Sequence, residues 1–240
     1  MFPAAGRIEV GDFMTVLKTA LIAGAMGLAA GGASATTATL DFQGFAAGST
    51  NVHYSVKGSG FSETGAAAAG AFEFRNTDTL DDFVAWCIDI LTNLDQGPVE
   101  YDVHASLLDG DQLGRLQKVF DANYVTDTAA SGLNSAAFQV AVWDSIYDTD
   151  FDAGAFGSAE VGFKLTSPSS VIDKANDYLS AAESYLGPRR WTLTQYADEA
   201  PVSQDLVTVA PIPLPVGALL IGTAFLGAGA VSARARRKAA

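Results

Sequence analysis

Two residues stand out for chemistry. Cys87 is the chain's single cysteine and lies in the apolar stretch FVAWCIDI, Phe83–Ile90, with no second thiol to pair with. Gln139 lies in NSAAFQVAVWDSIYD, Asn134–Asp148. If that segment is helical, Gln139, Val142, Trp143 and Ile146 fall at i, i+3, i+4 and i+7. The amide then shares a stripe with three large apolar residues. Burying an amide without partners costs roughly 2 kcal/mol or more. Gln139 is therefore either hydrogen-bonded to backbone in the core or chemically employed. Cys87 likewise reads either as a small buried hydrophobe or as a reacting group.

Other constellations are thinner. Asp148, Asp150 and Asp152 are spaced like the first ligands of a calcium loop. The sixth position, Ala153, should be Gly, and the twelfth, Ala159, should be Glu; Glu160 falls one late. A solvated acidic turn is the plainer reading. His53 and His104 are the only histidines and fall in separate expected strands. There is no Gly-x-Ser-x-Gly elbow, no Gly-rich phosphate loop and no Cys/His set at metal spacing, so neither a conventional hydrolase nor a cofactor or metal is expected.

The elements that must position these residues are strands first and helices later. TATLDFQGF (Thr37–Phe45), NVHYSVKG (Asn51–Gly58) and GAFEFRN (Gly70–Asn76) alternate apolar and polar residues as half-buried strands do. Phe83–Ile90 is apolar on both faces, which predicts a central strand covered on both sides. GAAAAGA at Gly65–Ala71 reads as a loop. Three helices follow: Asp111–Tyr124, Asn134–Asp148 capped by Asn134 or Ser135, and Ser167–Gly187. In the third, Ser167 caps, Pro168 takes the first position and Gly187 ends the helix. Arg189–Ala197 and Ser203–Ala210 return to strand. The expectation is α+β: an antiparallel sheet or sandwich with inserted helices.

The ends of the chain carry addresses. From Met14 the sequence has Lys18, an uncharged run Thr19–Ala30 and the small-x-small site Ala33-Ser34-Ala35. That is the layout of a secretory signal peptide, with Met14 as the expected start and residues 1–35 as leader. At the other end, PIPLP (Pro211–Pro215) precedes an uncharged run of 18 residues, 216–233, and a basic tail with Arg234, Arg236 and Arg237. The run is just long enough to span a bilayer, with its basic end held in the cytoplasm. Pro211, Pro213, Pro215, the apolar run and the Arg-rich tail, in that order, resemble the PEP-CTERM sorting signals of Gram-negative bacteria. The variant signature Val-Pro-Leu-Pro-Ala is similar, with Val216 in place of its Ala. The resemblance implies signal peptidase and an exosortase-like protease as partners. It also implies a precursor anchored in the inner membrane through residues 216–233 and a mature protein at the cell surface or outside the cell.

Between the addresses, residues 36–210 suit one domain of 175 residues. They hold 8 basic against 25 acidic residues, a net charge of −17. Such a surface repels nucleic acid.

Within this domain, WCID (Trp86–Asp89) and FQVAVW (Phe138–Trp143) resemble the thioester domains of bacterial surface adhesins. There a Cys in an aromatic-Cys-apolar-acidic context bonds to the Gln of a Thr-Gln-x-Ala-Ile/Val-Trp helix. Gln139, Ala141, Val142 and Trp143 match the helix motif, and Phe138 replaces its Thr. The resemblance covers two short segments. It implies a Cys87–Gln139 thioester, walled by Trp86, Phe138 and Trp143, that tethers a surface amine or hydroxyl in a single-use reaction and so is not an enzyme. The alternative keeps the fold and drops the bond: a non-covalent structural component of an envelope or exopolysaccharide matrix.

Overall fold

The computed structural model describes residues 36–212, except 104–105, 126–127, 129–130, 158–160, 199 and 201. The chain divides into Met1–Ser34 and Ala35–Ala240, and the described residues belong to the second unit. The leader, residues 216–233, Pro213, Pro215, Arg234, Arg236 and Arg237 lie outside the described residues, as does His104. No helix among the described residues is long and apolar enough to cross a membrane.

The fold is α+β. Among the described residues nine strands run as β1 (Thr36–Phe45), β2 (Thr50–Gly58), β3 (Phe61–Ala69), β4 (Phe72–Asn76), β5 (Asp82–Cys87), β6 (Val99–Val103), β7 (Gly162–Ser167), β8 (Trp191–Ala197) and β9 (Leu206–Pro211). The helices are α1 (Gly110–Asn123), α2 (Gly132–Tyr147) and α3 (Ser169–Glu183). All strand pairs are antiparallel.

Six strands close on themselves in the order β1-β4-β5-β9-β8-β6, and three form a separate sheet, β3-β2-β7. The sequence predicts an antiparallel sheet or sandwich; six of the strands close into a barrel because β6 bridges β1 and β8. Closure removes the exposed edges that an open sheet would have to protect. GAAAAGA, expected as a loop, belongs largely to β3: Gly65–Ala69 pair with Tyr54–Thr50 along β2. Gly65 is needed there, since a Cβ would collide with the Tyr54 hydroxyl. Alanine and glycine lack strand propensity of their own, so the pairing partner decides.

Helix α2 is buried almost all round, from Ser135 to Ile146. It packs on α1 and α3 and also touches β2, β3, β5 and β7, so it is the shared core of both sheets. Its N-cap is Ser131, whose hydroxyl accepts the Asn134 N–H, not Asn134 or Ser135. Helix α3 begins after Pro168 without a side-chain cap, because Ser167 is the last residue of β7. It ends at Glu183 rather than near Gly187: Ser184 Oγ donates to the Ser180 and Ala181 carbonyls and closes the last turn.

The loop between α2 and β7 is held by one side chain. Asp148 accepts backbone N–H groups of Thr149, Gly157 and Phe163. Gly162 has φ +130°, and a Cβ there would collide with that carboxylate. Gly162→Ala is expected to cost roughly 1–3 kcal/mol through backbone strain alone. Gly114→Ala, on the exposed face of helix α1 with open space around it, should instead stabilise by about 0.5–1 kcal/mol. Denaturant unfolding of the two variants checks both signs.

Candidate functional site

Strand β5 explains why Cys87 needs a partner from elsewhere. It pairs with β4 through Phe72↔Ala85, and β4 begins at Phe72. On the other side Trp86↔Val207 and Cys87↔Leu206 pair with β9, and the Ile88 N–H donates to Asp205 O at 2.9 Å. Antiparallel strands send the N–H and C=O of alternate residues to opposite neighbours. The polar groups of Cys87 therefore point at the β4 side, where β4 has not yet started.

Gln139 fills that gap. Its Oε1 accepts the Cys87 N–H at 2.9 Å, and its Nε2 donates to the Cys87 carbonyl at 2.8 Å. One amide thus takes the place of a strand residue. Ser135, one helical turn earlier, does the same for the corner: its Oγ accepts the Ala71 N–H at 2.6 Å. Cys87, Gln139 and Ser135 are all 0% exposed. The structure brings together the two residues singled out from sequence, 52 positions apart. Ser135 is the polar residue the sequence reading missed. Its signal was available as a second polar side chain at i−4 on the same face.

The expected wall residues divide into two groups. Trp86 and Phe138 pack on each other with ring centroids 4.6 Å apart, and Phe138 meets Phe120, Tyr124 and Tyr178 edge-on or tilted. Trp143 lies on the other side, against Phe163. All three wall residues are buried. Tyr147 and Tyr54 hold the backbone just after Cys87. The Tyr147 hydroxyl faces Ile88 O and Asp89 Oδ1, and that of Tyr54 donates to Ile90 O at 3.4 Å.

Burial pushes the Cys87 thiol up to about 12. The Trp143 indole N–H and the Asp89 backbone N–H oppose this by favouring the thiolate, but desolvation wins. The indole acts electrostatically here, because Trp143 Nε1 makes no hydrogen bond of good geometry. A thiol so placed is inert towards solvent-borne reagents.

The acidic loop does not converge as a metal site. Asp148 spends its carboxylate on backbone amides, and Asp152 Oδ1 accepts from Gly154 N and Asn176 Nδ2. Among the described residues no group of three His, Cys, Asp or Glu is placed to hold a metal ion. Asp144 is buried with neither oxygen hydrogen-bonded among the described residues. Burial, and then Asp148, Asp150 and Asp152, push it well above the usual carboxylate range. His53 sits on β2, exposed, away from Cys87's partners.

No family model matches the chain, and no curated protein matches it. Among solved structures, it is similar to the N-terminal domain of the Streptococcus pyogenes pilus tip adhesin Cpa. That match has 15% identity over 68% of this chain and 94% of the other, with a TM-score of 0.42. It is similar to the N-terminal thioester domain of a surface protein from Clostridium perfringens, at 16% identity over 68% and 100%, TM-score 0.38. A cysteine-to-alanine mutant of a Clostridium perfringens domain of the same description matches at 15% over 59% and 89%, TM-score 0.38. With TM-scores of 0.42 or less, the functional reading rests on the geometry of Cys87 and Gln139.

Two expectations follow from that geometry. Gln139→Leu leaves the Cys87 N–H and C=O buried and unpaired, and should cost roughly 2–6 kcal/mol at about 1–3 per group. Ser135→Ala orphans one group and should cost about half as much; denaturant titration ranks them. A free thiol also makes stability pH-dependent. Its folded pKa, about 12, lies above the unfolded value of about 8.5. The stability it contributes is full below about pH 8.5 and is lost as pH rises towards 12, at about 1.4 kcal/mol per pH unit. Comparing unfolding of the parent protein and Cys87→Ala from about pH 8 to 10.5 isolates this slope. Equal slopes would mean that Cys87 carries no free thiol.

Proposed function

We propose that the protein is an exported surface protein in which Cys87 and Gln139 form an internal thioester, and that the thioester captures a target once, through Gln139. The observation that carries this reading is the reciprocal pair of hydrogen bonds between the Gln139 amide and the Cys87 backbone. It holds the amide carbon beside the residue that bears the thiol, converting a bimolecular step into a local one. Sγ attacks Cδ, the C–S bond forms and the C–N bond breaks. The thiol proton passes to the departing nitrogen, and ammonia leaves. Negative charge developing on Oε1 meets the Cys87 N–H already donating to it. Trp86, Phe138 and Trp143 keep the acyl group dry. The chemistry is acyl transfer without turnover, so the protein is a reactant rather than an enzyme.

A second reading has its own support. The two hydrogen bonds satisfy the Gln139 amide, and burial holds the thiol in its neutral form. A non-covalent structural component of an envelope or exopolysaccharide matrix needs nothing more. Intact mass separates the two. The thioester lowers the parent mass by one ammonia relative to calculation, and Cys87→Ala restores the calculated value. Comparing the pair cancels any processing of the ends. A parent protein of full mass, whose thiol titrates only after unfolding, would sink the covalent reading.

Delivery to the surface follows from the ends. The leader, residues 1–35, is removed by signal peptidase. Residues 211–240 hold the precursor in the inner membrane of a Gram-negative cell until an exosortase-like protease cuts near the Pro-rich signature. Pro213→Ala with Pro215→Ala should leave the C-terminal segment attached, visible as an unshifted precursor band. Unchanged processing would show that the signature is not read.

A further inference from the structure

Strand β3 is an open edge. It forms a hairpin with β2 and is the last strand on its side of the small sheet. Gly58 pairs with Phe61 across the two-residue turn Ser59-Gly60, so the polar groups of Phe61 face β2. Alternation gives those of Glu63, Gly65, Ala67 and Ala69 to β2 as well. It turns the N–H and C=O of Ser62, Thr64, Ala66 and Ala68 outward. Among the described residues β3 has no backbone partner besides β2.

Edges are ordinarily blunted by Lys, Pro, a bulge or a covering element. The opposite edge of this sheet, β7, has Lys164, a register shift at His53/Tyr54 and α3 packed against it. β3 contains no Lys and no Pro, and its register with β2 is unbroken over nine residues. Its four outward residues are small and exposed.

A cavity of about 260 Å³ lies along the same edge, lined by Ala66, Ala67 and Ala68. Consecutive strand residues point to opposite faces, so a space that touches all three lies at the margin of the strand. Phe42, Phe45 and Phe72 form an aromatic wall, with centroids 5.3 to 5.8 Å apart. No lining residue carries a charge. No Lys or Arg adjoins a lining residue in sequence, whereas Asp41, Glu73, Asp89, Asp95 and Asp205 do. Glu63, exposed, lies on β3 itself.

These features select an occupant. The outward groups repeat a donor and an acceptor every second residue, about 7 Å apart. An extended polypeptide presents the same repeat. The cavity falls just below the roughly 300–1,000 Å³ of sites that hold a whole small molecule, and its uncharged aromatic lining suits one large apolar side chain. The surrounding acids favour basic residues on either side of it.

We propose that the β3 edge docks an extended segment of a partner protein by strand addition, with one large apolar side chain in the cavity and basic residues flanking it. A second copy of this chain is a poorer occupant, because it would join two domains of net charge −17. The docking stands whether or not the Cys87–Gln139 bond forms.

The test applies the labelled full chain to an array of end-blocked peptides Arg-Val-Thr-X-Thr-Val-Arg, with X each of the twenty residues. Retention at X = Phe, Tyr, Leu or Met is expected at least tenfold above X = Asp, Lys or Gly. Exchanging both arginines for Glu should weaken it at least tenfold. Alternate amides of a strand face opposite edges, so N-methylation of both threonines and of both valines is compared. One pair should abolish retention and the other spare it. On the protein, Ala67→Phe fills the cavity, and Ala66→Pro removes an outward donor while sparing the bonds to β2. Each should reduce retention at least tenfold. If Ala66→Pro does not fold, the N-methylated peptides test the same edge. No retained peptide, equal loss from both N-methylated pairs, or retention unchanged by Ala67→Phe or by the Glu ends overturns the proposal. So does a dimer of the full chain that Ala66→Pro disperses, which assigns the edge to a second copy.

Discussion

The structure depends on one side-chain amide standing in for a missing strand. β5 runs two residues beyond the start of β4, and the N–H and C=O of Cys87 face the opening. Left unpaired and buried, those two groups would cost a large fraction of the 5–15 kcal/mol by which a domain is stable. Gln139 supplies a donor and an acceptor in the spacing that a peptide would supply. The requirement fixes the helix as well. α2 must lie close enough for a three-carbon side chain to reach the strand, which forces it into the space between the barrel and the small sheet. That is why its surface from Ser135 to Ile146 is buried on every side, and why small residues, Ala136, Ala137 and Ala141, alternate with Phe138 and Trp143.

The same enclosure sets the chemistry. Desolvation that pushes the Cys87 thiol up to about 12 also excludes the water that would hydrolyse an acyl group at that position. A solvent-exposed cysteine with an activated thiolate would be a better general nucleophile and a poorer keeper of a thioester. On the thioester reading the reacting partner is already bound, so proximity would replace activation. Because the proton released by sulfur is the one the departing nitrogen needs, a high thiol pKa does not require an outside base in the overall balance.

Much of this was legible in the residues, and the misses have physical causes. Alternation located β1, β2 and β4, a run apolar on both faces located most of β5, and helical spacing together with cap, Pro and Gly signals located the three described helices. Gln139 was conspicuous because an amide on an apolar stripe is expensive, and expense is readable from sequence. β3 was not readable: Gly65–Ala69 has no pattern, and its strand state comes from β2. Nor was barrel closure, which depends on short β6 finding both β1 and β8. Ser135 looked like a cap because it stands at the start of a periodic segment; its actual partner, Ala71, is 64 positions away. The cavity of about 260 Å³ lined by Phe42, Tyr54, Thr92 and Trp143 was invisible for the same reason, being assembled from the barrel, the small sheet, the 90–96 segment and α2.

A cross-link at this position would do more than store an acyl group. Joining residues 87 and 139 closes a loop that contains β6, α1 and the start of α2. On a chain-entropy account, a bond across a loop of that length stabilises by about 4 kcal/mol. Loss of ammonia removes the Nε2 donor from the Cys87 carbonyl, which gives back roughly 1–3 kcal/mol. The net favours the closed form, and transfer of the acyl group to a target reverses it. Capture would therefore release the clamp between β5 and α2 at the moment the target is secured. The walls that would protect such a bond, Trp86 with Phe138 on one side and Trp143 on the other, belong to the two elements that it would join. Protection and linkage would thus be one device, and opening one would open the other.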